Sequence, residues 1–392
     1  MPHAITEYNV FAPEVKENPY PYYEWLRHNH PVYHNERLDF YALSRYTDVM
    51  AASRNPQDFS SSQGIGPERQ PNSTMIAQDP PVHTRLRGLV SKVFTPKTIA
   101  QSEERIQAIV DELLDKVIDK GRFDLVQDFA FPLPVIVIAE MLGVEPERRE
   151  DFKRWSDDVI SVTGGDQASL ARYMKSWGEF KQYFARKVEE RRADPQPDLI
   201  SALVQAQEER EALSLGEILN FCLLLLVAGN ETTTNLISNG AKALFDHYDE
   251  AALKLRERPE LIQSMVEESL RFDSPIQGTF RTVNRDMEIH GVTIPQNSKV
   301  VLLWGSANRD ETQFPDPDKF DIERKPNAQI AFGMGIHVCL GAPLARLEAR
   351  IATQTILKRL RNIRLDPSGV FDRVDNPMFR GLHHFPVLFD LP

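Results

Sequence analysis

The chain has 392 residues, of which 41% are hydrophobic, and carries a formal net charge of -11. An acidic balance of this size argues against nucleic acid as a partner, because the phosphate backbone attracts basic surfaces. The two cysteines, Cys222 and Cys339, are far apart and do not indicate a disulfide framework, which fits a reducing compartment. A chain of this length can form one large helical unit, so we expect a single domain over residues 1–392.

The N-terminus shows no charged-then-apolar signal pattern. The longest apolar run, residues 221–229, is too short to span a bilayer. We therefore expect a cytoplasmic protein that does not enter a membrane and that is a monomer.

The first third of the chain predicts a hairpin followed by a long loop and then helices. Residues 32–34 and 40–43 have the composition of two paired strands, and a helix is predicted from Tyr46. Residues 60–80 are rich in Ser, Gly, Pro and Gln without periodicity, which indicates either a substrate-facing flap or a disordered surface loop. Apolar periodicity predicts helices after Pro80-Pro81 and over residues 106–118, 133–142, 148–163 and 170–192, and another helix begins at residue 198. Gly164-Gly165 is predicted to separate two of them.

A long helix is predicted from residue 215 to about residue 247. Ser214 and Glu217 have the spacing of a capping box at its start, and Cys222 is expected to pack in its apolar run. Further along, the segment 228–233 brings a glycine, an acid and hydroxyls into an otherwise apolar helix. Glycine there costs about 1 kcal/mol relative to alanine, and Thr232 can bond back to the carbonyl four residues earlier and bend the axis. We predict a local bend that opens a groove.

Residues from about 259 predict a helix that carries Glu268 and Arg271 one turn apart. As an exposed pair these two side chains would contribute only a few tenths of a kcal/mol. Short strands are predicted between residues 283 and 303 and again around 385–389.

The segment 331–343 places Cys339 between a glycine-punctuated loop and a helix that has Pro343 in its first turn. Gly333 and Gly335 allow tight turns and a close backbone approach. The amides and the positive dipole end of the helix would favour the thiolate. Such a cysteine is either a nucleophile or a metal ligand, and no signature of a cysteine nucleophile surrounds it. We favour the ligand.

The pattern Phe332-x-x-Gly335-x-His337-x-Cys339-x-Gly341 resembles the haem-thiolate loop of the cytochrome P-450 monooxygenases. The resemblance extends over nearly the whole chain, because the helix with Thr232, the Glu-x-x-Arg pair and a segment over residues 314–324 occur in the same order. It implies a mainly α fold with a small β region, a triangular helical prism. It also implies haem b, iron protoporphyrin IX, lying between the distal helix 215–247 and the helix after Cys339.

The resemblance also implies a role for each of the residues that match the family. Cys339 would be the axial iron ligand and donate electron density that favours O–O cleavage. Glu231, where Asp is commoner, and Thr232 would guide protons and water to bound dioxygen. Glu268 and Arg271, with Arg324, would form a buried charge network. The residues expected to bind the cofactor are His83, Arg87, Ala228, Gly229, Arg281, Phe332, His337 and Gly341, and among them His83, Arg87, Arg281 and His337 would hold the propionates.

The expected reaction is insertion of one oxygen atom from O2 into a C–H bond of a small-to-medium, largely apolar organic substrate. The pocket is expected at residues 60–80, 161–173 and 224–232, with the apolar side chains Leu225, Ile276, Phe280, Met378 and Phe379. Core packing would produce the same apolar residues. The chain carries no flavin or iron–sulfur module, so a ferredoxin or flavodoxin with its NAD(P)H reductase should supply electrons. The basic side chains Lys92, Lys97, Arg346 and Arg350 could form the face that docks this donor, or they could be solvated charges on helix faces.

Three alternatives remain open from the residues. A peroxide-driven peroxygenase typically lacks the hydroxyl that Thr232 supplies. A haem protein that only binds or senses small ligands would share the same loop. A haem-free helical protein would keep Cys339 in its core.

Overall fold

The computed structural model describes residues 5–160, 167–206, 213–246 and 248–392. Helices dominate it and are numbered in chain order. They are α1 Pro13–Glu17, α2 Tyr20–Asn29, α3 Tyr46–Ser53, α4 Val82–Ser91, α5 Pro96–Gln101, α6 Glu103–Asp115, α7 Pro132–Met141, α8 Arg149–Ile160, α9 Gln167–Ala193, α10 Leu199–Gln205, α11 Leu215–Asp246, α12 Tyr248–Glu257, α13 Ile262–Phe272, α14 Trp304–Ala307 and α15 Ala342–Arg359. A π-helix over Leu125–Ala130 precedes α7.

The strands are short and form small sheets. They are β1 Val32–Asn35, β2 Phe40–Leu43, β3 Phe59–Ser60, β4 Arg122–Asp124, β5 Thr279–Val283, β6 Met287–Ile289, β7 Val292–Ile294, β8 Lys299–Leu302, β9 Arg361–Leu365, β10 Asp372–Arg373, β11 Leu382–His384 and β12 Pro386–Asp390. The largest sheet has the order β1-β2-β8-β5-β3, and β12 lies between β4 and β9 in a second sheet. A mainly α fold with a small β region is confirmed, as is the hairpin of β1 and β2.

The central element is α11, whose start is fixed by the predicted capping box. The backbone N–H of Glu217 donates to Ser214 Oγ at 3.2 Å, and the backbone N–H of Ser214 donates to Glu217 Oε2 at 2.8 Å. The helix packs against α7, α13 and α15, and Gly229 permits the approach of α7 because a Cβ there would lie 3.0 Å from Ile138 Cδ1. Cys222 is fully buried, as expected for a packing residue. By length and composition α11 could cross a membrane, but core helices of globular proteins pass the same test.

The long loop between β3 and α4 is tied down at both ends. The backbone N–H of Ser61 donates to Asp79 Oδ1 at 3.0 Å, which brings the two ends together. Lys299, on β8, donates from Nζ to the carbonyl oxygens of Gln63, Gly64 and Gly66 at 3.2 to 3.3 Å. The backbone N–H of Phe280 on β5 donates to the carbonyl of residue 65 at 2.8 Å. Residues 63–66 are therefore fastened to β5 and β8 of the largest sheet, which favours the flap over the disordered loop for this part of the segment.

The predicted helix boundaries hold to within a few residues. The helix expected over 148–163 is observed as α8, and the one expected over 170–192 as α9; the break expected at Gly164-Gly165 lies outside the described residues. The short helix α5 and strand β9 were not predicted, because neither has an apolar stripe long enough to show a period.

Candidate active site

The loop before α15 holds Cys339 through the backbone. The N–H of Cys339 donates to the carbonyl oxygen of Phe332 at 2.9 Å. Gly333 and Gly335 have φ of +71° and +72°, a left-handed conformation that side-chain-bearing residues rarely adopt. A Cβ on Gly335 would also lie 2.3 Å from the carbonyl oxygen of Ser53 at the end of α3. The close approach predicted for this glycine is thus to the backbone of α3.

The pKa of the Cys339 thiol is shifted in the direction opposite to the predicted one. Its side chain has exposed surface, but protein atoms surround it closely enough that burial raises the pKa of the thiol. The backbone N–H groups of Gly341 and Ala342 and the charge of Arg87 lower that pKa, in the predicted direction. The expected preference for the thiolate is wrong for the protein alone, because burial outweighs the helix amides. A coordinated metal ion would deprotonate the sulfur regardless.

Four cationic or imidazole side chains converge beside this loop. The rings of His83 and His337 are in T-shaped contact with centroids 4.4 Å apart. Burial, followed by the charges of Arg281, His83 and Arg87, lowers the pKa of His337 to about 3. The Arg87 guanidinium is also close enough to Cys339 that the two charges interact. Residues from α4, β5 and the cysteine loop, which are distant in sequence, therefore meet at one place.

No carboxylate among the described residues forms an ion pair with this cluster, although the charge of Asp79 acts on His83 and Arg281. Arg281 is 6% exposed, and its Nη1 donates only to Thr279 Oγ1 at 3.2 Å and to the carbonyl of Phe280 at 2.8 Å. Burial lowers the pKa of Arg281 to about 10. The Nε2 atoms of His83 and His337 are buried, and no described residue forms a hydrogen bond with either of them. Within the described ranges neither Arg87 nor Arg281 forms an ion pair with a carboxylate.

Buried donors without acceptors are costly unless a ligand completes them. Here two guanidinium groups and two imidazoles face the neighbourhood of a single cysteine thiol. A flat group with carboxylates at one edge and a metal ion for the sulfur would satisfy all of them. The residues present fit a haem-thiolate site.

The distal helix carries the predicted acid and alcohol. Thr232 Oγ1 donates to the carbonyl of Ala228 at 2.6 Å, which confirms the predicted back-bond. Ala228 is exposed and Gly229 partly exposed in the middle of a helix that is otherwise largely buried. Burial raises the pKa of Glu231 from 4.5 to about 7. A carboxyl near neutrality beside a hydroxyl is a suitable pair for moving protons.

The predicted charge network behind the cysteine loop is present. Arg271 donates from Nε and Nη2 to the two carboxylate oxygens of Glu268, both at 2.8 Å, and both side chains are fully buried. Arg324 Nε donates to Glu268 Oε1 at 3.1 Å. Arg271 Nη1 also donates to the carbonyl of Asn308 at 3.0 Å. A paired, fully hydrogen-bonded charge cluster of this kind tolerates burial.

Two links between this network and the loop were missed. Asn308 Oδ1 accepts from the backbone N–H of Ile330 at 2.8 Å, just before the cysteine loop. Glu267 accepts from Nε of Arg346 at 2.6 Å, and the Arg346 guanidinium lies 4.5 Å from the ring centre of Phe332. Glu267 precedes Glu268 in sequence, but nothing in the local pattern indicated its partner seventy-nine residues away.

Part of the predicted substrate pocket is wrong. Phe280 is fully buried in a cluster with Tyr8, Val301 and Phe40, whose ring centre lies 5.8 Å away. Successive strand residues face opposite sides, so Phe280 points away from Arg281 and the site. Met378 is partly buried and packs against the same cluster, and its place in the pocket stays a prediction.

The other predicted pocket residues are less deeply buried than Phe280. Leu225, Ile276 and Phe379 are partly buried, and Ile276 pairs with Phe379 through an isolated β-bridge. The part of the prediction at residues 161–166 lies outside the described residues.

The predicted basic face is partly neutralised. Arg346 is paired with Glu267, and Arg350 Nη2 lies 2.7 Å from Glu103 Oε1. Lys97 is exposed at the start of α5. The surface behind Cys339 is therefore a mixture of charges rather than a cationic patch.

Comparisons with known proteins agree with this geometry. Residues 42–370 match the family profile described as Cytochrome P450. The chain is 40% identical to a "Cytochrome P450" of Bacillus subtilis (strain 168), over 98% of this chain and 97% of the other. It is 39% identical to the "Steroid C26-monooxygenase" of Mycobacterium tuberculosis (strain ATCC 25618 / H37Rv), over 94% and 92%.

The fold comparison is equally close. The structure of cytochrome P450 CYP109Q5 from Chondromyces apiculatus superposes with a TM-score of 0.90 and 41% identity, covering 98% of each chain. The match therefore extends over nearly the whole length of both chains. The protein is therefore a member of the cytochrome P450 family and a haem-thiolate monooxygenase.

Proposed function

We propose that the protein hydroxylates a small-to-medium, largely apolar organic substrate by inserting one oxygen atom from O2 into a C–H bond. The observation that carries this proposal is the convergence of His83, Arg87, Arg281 and His337 beside Cys339, with no carboxylate among the described residues in an ion pair with them. Such a set suits haem b, because the Cys339 sulfur would bind the iron and the four cationic or imidazole side chains would bind the propionates. Ala228, Gly229, Phe332 and Gly341 would border the ring. Haem bound through a thiolate supplies the activation of dioxygen.

Glu231 and Thr232 would deliver protons on the distal side. With a pKa of about 7, Glu231 exists in both protonation states near neutral pH, so it can both take up and release a proton. The Thr232 hydroxyl can exchange its bond to the Ala228 carbonyl for one to a water or ligand oxygen. This hydroxyl favours the oxygen-dependent reaction over a peroxide-driven one.

The substrate would lie against the exposed stretch of α11 at Leu225 and Ala228, with Ile276 and Phe379 opposite. The name of the relative that acts on a steroid supports an apolar substrate of that order of size.

We further propose that the chain functions as one cytoplasmic, monomeric domain over residues 1–392. Electrons would come from a ferredoxin or flavodoxin with its NAD(P)H reductase.

The decisive experiment compares Cys339→His with Cys222→Ala, the matched change at the other, buried cysteine. We expect the reduced, carbon-monoxide-bound spectrum of a thiolate-ligated haem in the wild type and in Cys222→Ala, and its loss in Cys339→His. Turnover with 18O2, an electron-donor system and apolar substrates should give a product with one labelled oxygen. Efficient hydroxylation by Cys339→His, or equal turnover with peroxide alone, would contradict the proposal.

A further inference from the structure

Three metal-binding side chains meet on the surface at the base of the hairpin formed by β10 and β11. Asp372, His383 and His384 each offer one ligand atom, and these atoms all lie within 4.8 Å of one another. The Nδ1 atom of His383 is 3.8 Å from Asp372 Oδ2. None of the three takes part in the haem site.

A β-bulge brings the two histidines together. Neighbouring residues in a regular strand point to opposite faces, so adjacent histidines would normally diverge. Here Asp372 pairs with His384 and Arg373 with Leu382, which leaves His383 as an extra residue in β11. The rings of His383 and His384 consequently touch, with centroids 4.5 Å apart. Bulges commonly re-aim a side chain in this way.

A fourth residue orients one of the imidazoles. His384 Nδ1 lies 2.8 Å from Asp124 Oδ2, and the other carboxylate oxygen of Asp124 accepts the backbone N–H groups of Val126 and Gln127. The Asp124 carboxylate is therefore held in place, and it fixes the His384 ring with Nε2 left without a partner in the part of the chain that the structure describes. A carboxylate that orients a ligating imidazole is a usual feature of metal sites.

We propose that Asp372, His383 and His384 form a second metal site, separate from the haem, that binds a divalent transition-metal ion. Two imidazoles and one carboxylate suit Zn²⁺, and three protein ligands leave a fourth position for water. Ligands about 2.1 Å from a tetrahedral zinc ion lie about 3.4 Å apart, so the 3.8 Å separation of His383 and Asp372 needs only a small adjustment. All three side chains are partly exposed, and the ion can enter directly from solvent.

The site is placed to restrain the hairpin that reaches the central helix. The connection between β10 and β11 carries Phe379 and ends against α11, where Asn239 Nδ2 donates to the carbonyl of Arg380 at 2.9 Å. A Cβ on Gly381 would collide with the Asn235 side chain, so the hairpin and α11 are in direct contact. An ion that joins β10 to β11 ties both ends of this connection together.

The test uses the haem-loaded protein after dialysis against a chelator. Equilibrium dialysis with Zn²⁺, followed by elemental analysis, should show one saturable ion per chain. His383→Ala and Asp372→Asn should each weaken binding at least tenfold, and Zn²⁺ should slow hydrogen exchange in residues 374–381 of the wild type but not of these two variants. The carbon-monoxide spectrum checks that each variant is folded, and it does not depend on this site.

The matched control is His290→Ala. His290 Nε2 also lies near a carboxylate, 2.9 Å from Asp48 Oδ2, and is exposed, but it belongs to no three-ligand group among the described residues. Zinc binding should be unchanged in this variant. No saturable binding, binding that survives His383→Ala, or an equal loss in His290→Ala would each overturn the proposal.

Discussion

His83 and His337 lie with their ring centroids 4.4 Å apart, and neither Nε2 atom has a hydrogen-bond partner among the residues that the structure describes. One ring comes from α4 and the other from the cysteine loop, so their contact joins two segments more than 250 residues apart. Together with the guanidinium of Arg281 they form a buried set of donors. The first prediction concerns this set.

Arg281→Ala should weaken haem retention. A hydrogen bond that involves a charged group contributes about 1.5–3 kcal/mol, so haem should dissociate about ten- to a hundredfold faster. Transfer of haem to excess apomyoglobin, followed by absorbance, measures the rate. Arg285→Ala is the control, because the Arg285 side chain is 66% exposed and pairs with Asp58. An unchanged rate in Arg281→Ala would show that this guanidinium does not hold the cofactor.

Thr232→Ala should separate electron consumption from product formation. Without the hydroxyl, proton delivery should fail more often, and we expect product per NAD(P)H to fall about tenfold or more, a smaller factor than the roughly 10²–10⁴-fold that general acid–base groups contribute to reaction rates. Product and NAD(P)H are quantified in the same reaction. Thr234→Ala is the matched control, since Thr234 Oγ1 makes an equivalent bond to the Asn230 carbonyl at 2.9 Å but is buried. Equal ratios in the two variants would argue against a role for Thr232.

Glu268→Gln should destabilise the fold strongly. It leaves the buried guanidinium groups of Arg271 and Arg324 without their counter-charge, which costs about 3–5 kcal/mol of unfolding free energy. Glu267→Gln breaks a more exposed pair with Arg346 and should cost about 1 kcal/mol or less. Urea unfolding followed by circular dichroism compares them, and similar losses in the two variants would refute the distinction.

Glu348 on α15 should make stability depend on pH. Its side chain is 1% exposed, its Oε2 has no hydrogen-bond partner within the described part of the chain, and burial raises its pKa from 4.5 to about 8. Between these values the folded state keeps a proton that the unfolded chain has lost. The contribution of Glu348 to unfolding free energy therefore falls as pH rises, by at most about 1.4 kcal/mol per pH unit.

Glu348→Gln removes this titration, so the variant should gain stability relative to wild type from pH 5 to pH 8 in urea unfolding. Glu288→Gln, at an exposed position on β6, should show no such gain. A constant difference between Glu348→Gln and wild type across this range would exclude the effect.

The sequence predicted those features that depend on residues close together in the chain. The capping box of Ser214 and Glu217 and the back-bond of Thr232 lie within four residues of their partners, so their spacing alone indicated them. The Cys339 loop was recognised because its glycines, phenylalanine and histidine form a dense local pattern. Glu268 and Arg271 were also one turn apart, and the family resemblance supplied Arg324.

Features that depend on register or on distant packing were not predictable. The assignment of Phe280 to the pocket was wrong because the sequence of β5 does not indicate which face of the strand is directed to the site. In the structure Arg281 lies on that face, and Phe280 lies on the other. The pairing of Glu267 with Arg346 and the raised pKa of the Cys339 thiol both arise from tertiary packing. The role of Lys299 in fastening the loop was missed for the same reason. Its three acceptors are backbone carbonyls, which any residue type can supply, so the sequence does not indicate them.

The hydrogen bonds from Lys299 to residues 63–66 restrict which part of the long loop between β3 and α4 can move. Since this segment is fastened to the same sheet that carries Arg281, and since Asp79 closes the far end, we expect any movement of the loop on substrate entry to fall within residues 67–78. Substrate selectivity would then be open to alteration by changes in that short stretch, while the cofactor environment stays undisturbed. Natural variation among close relatives that differ in substrate would be expected to concentrate there.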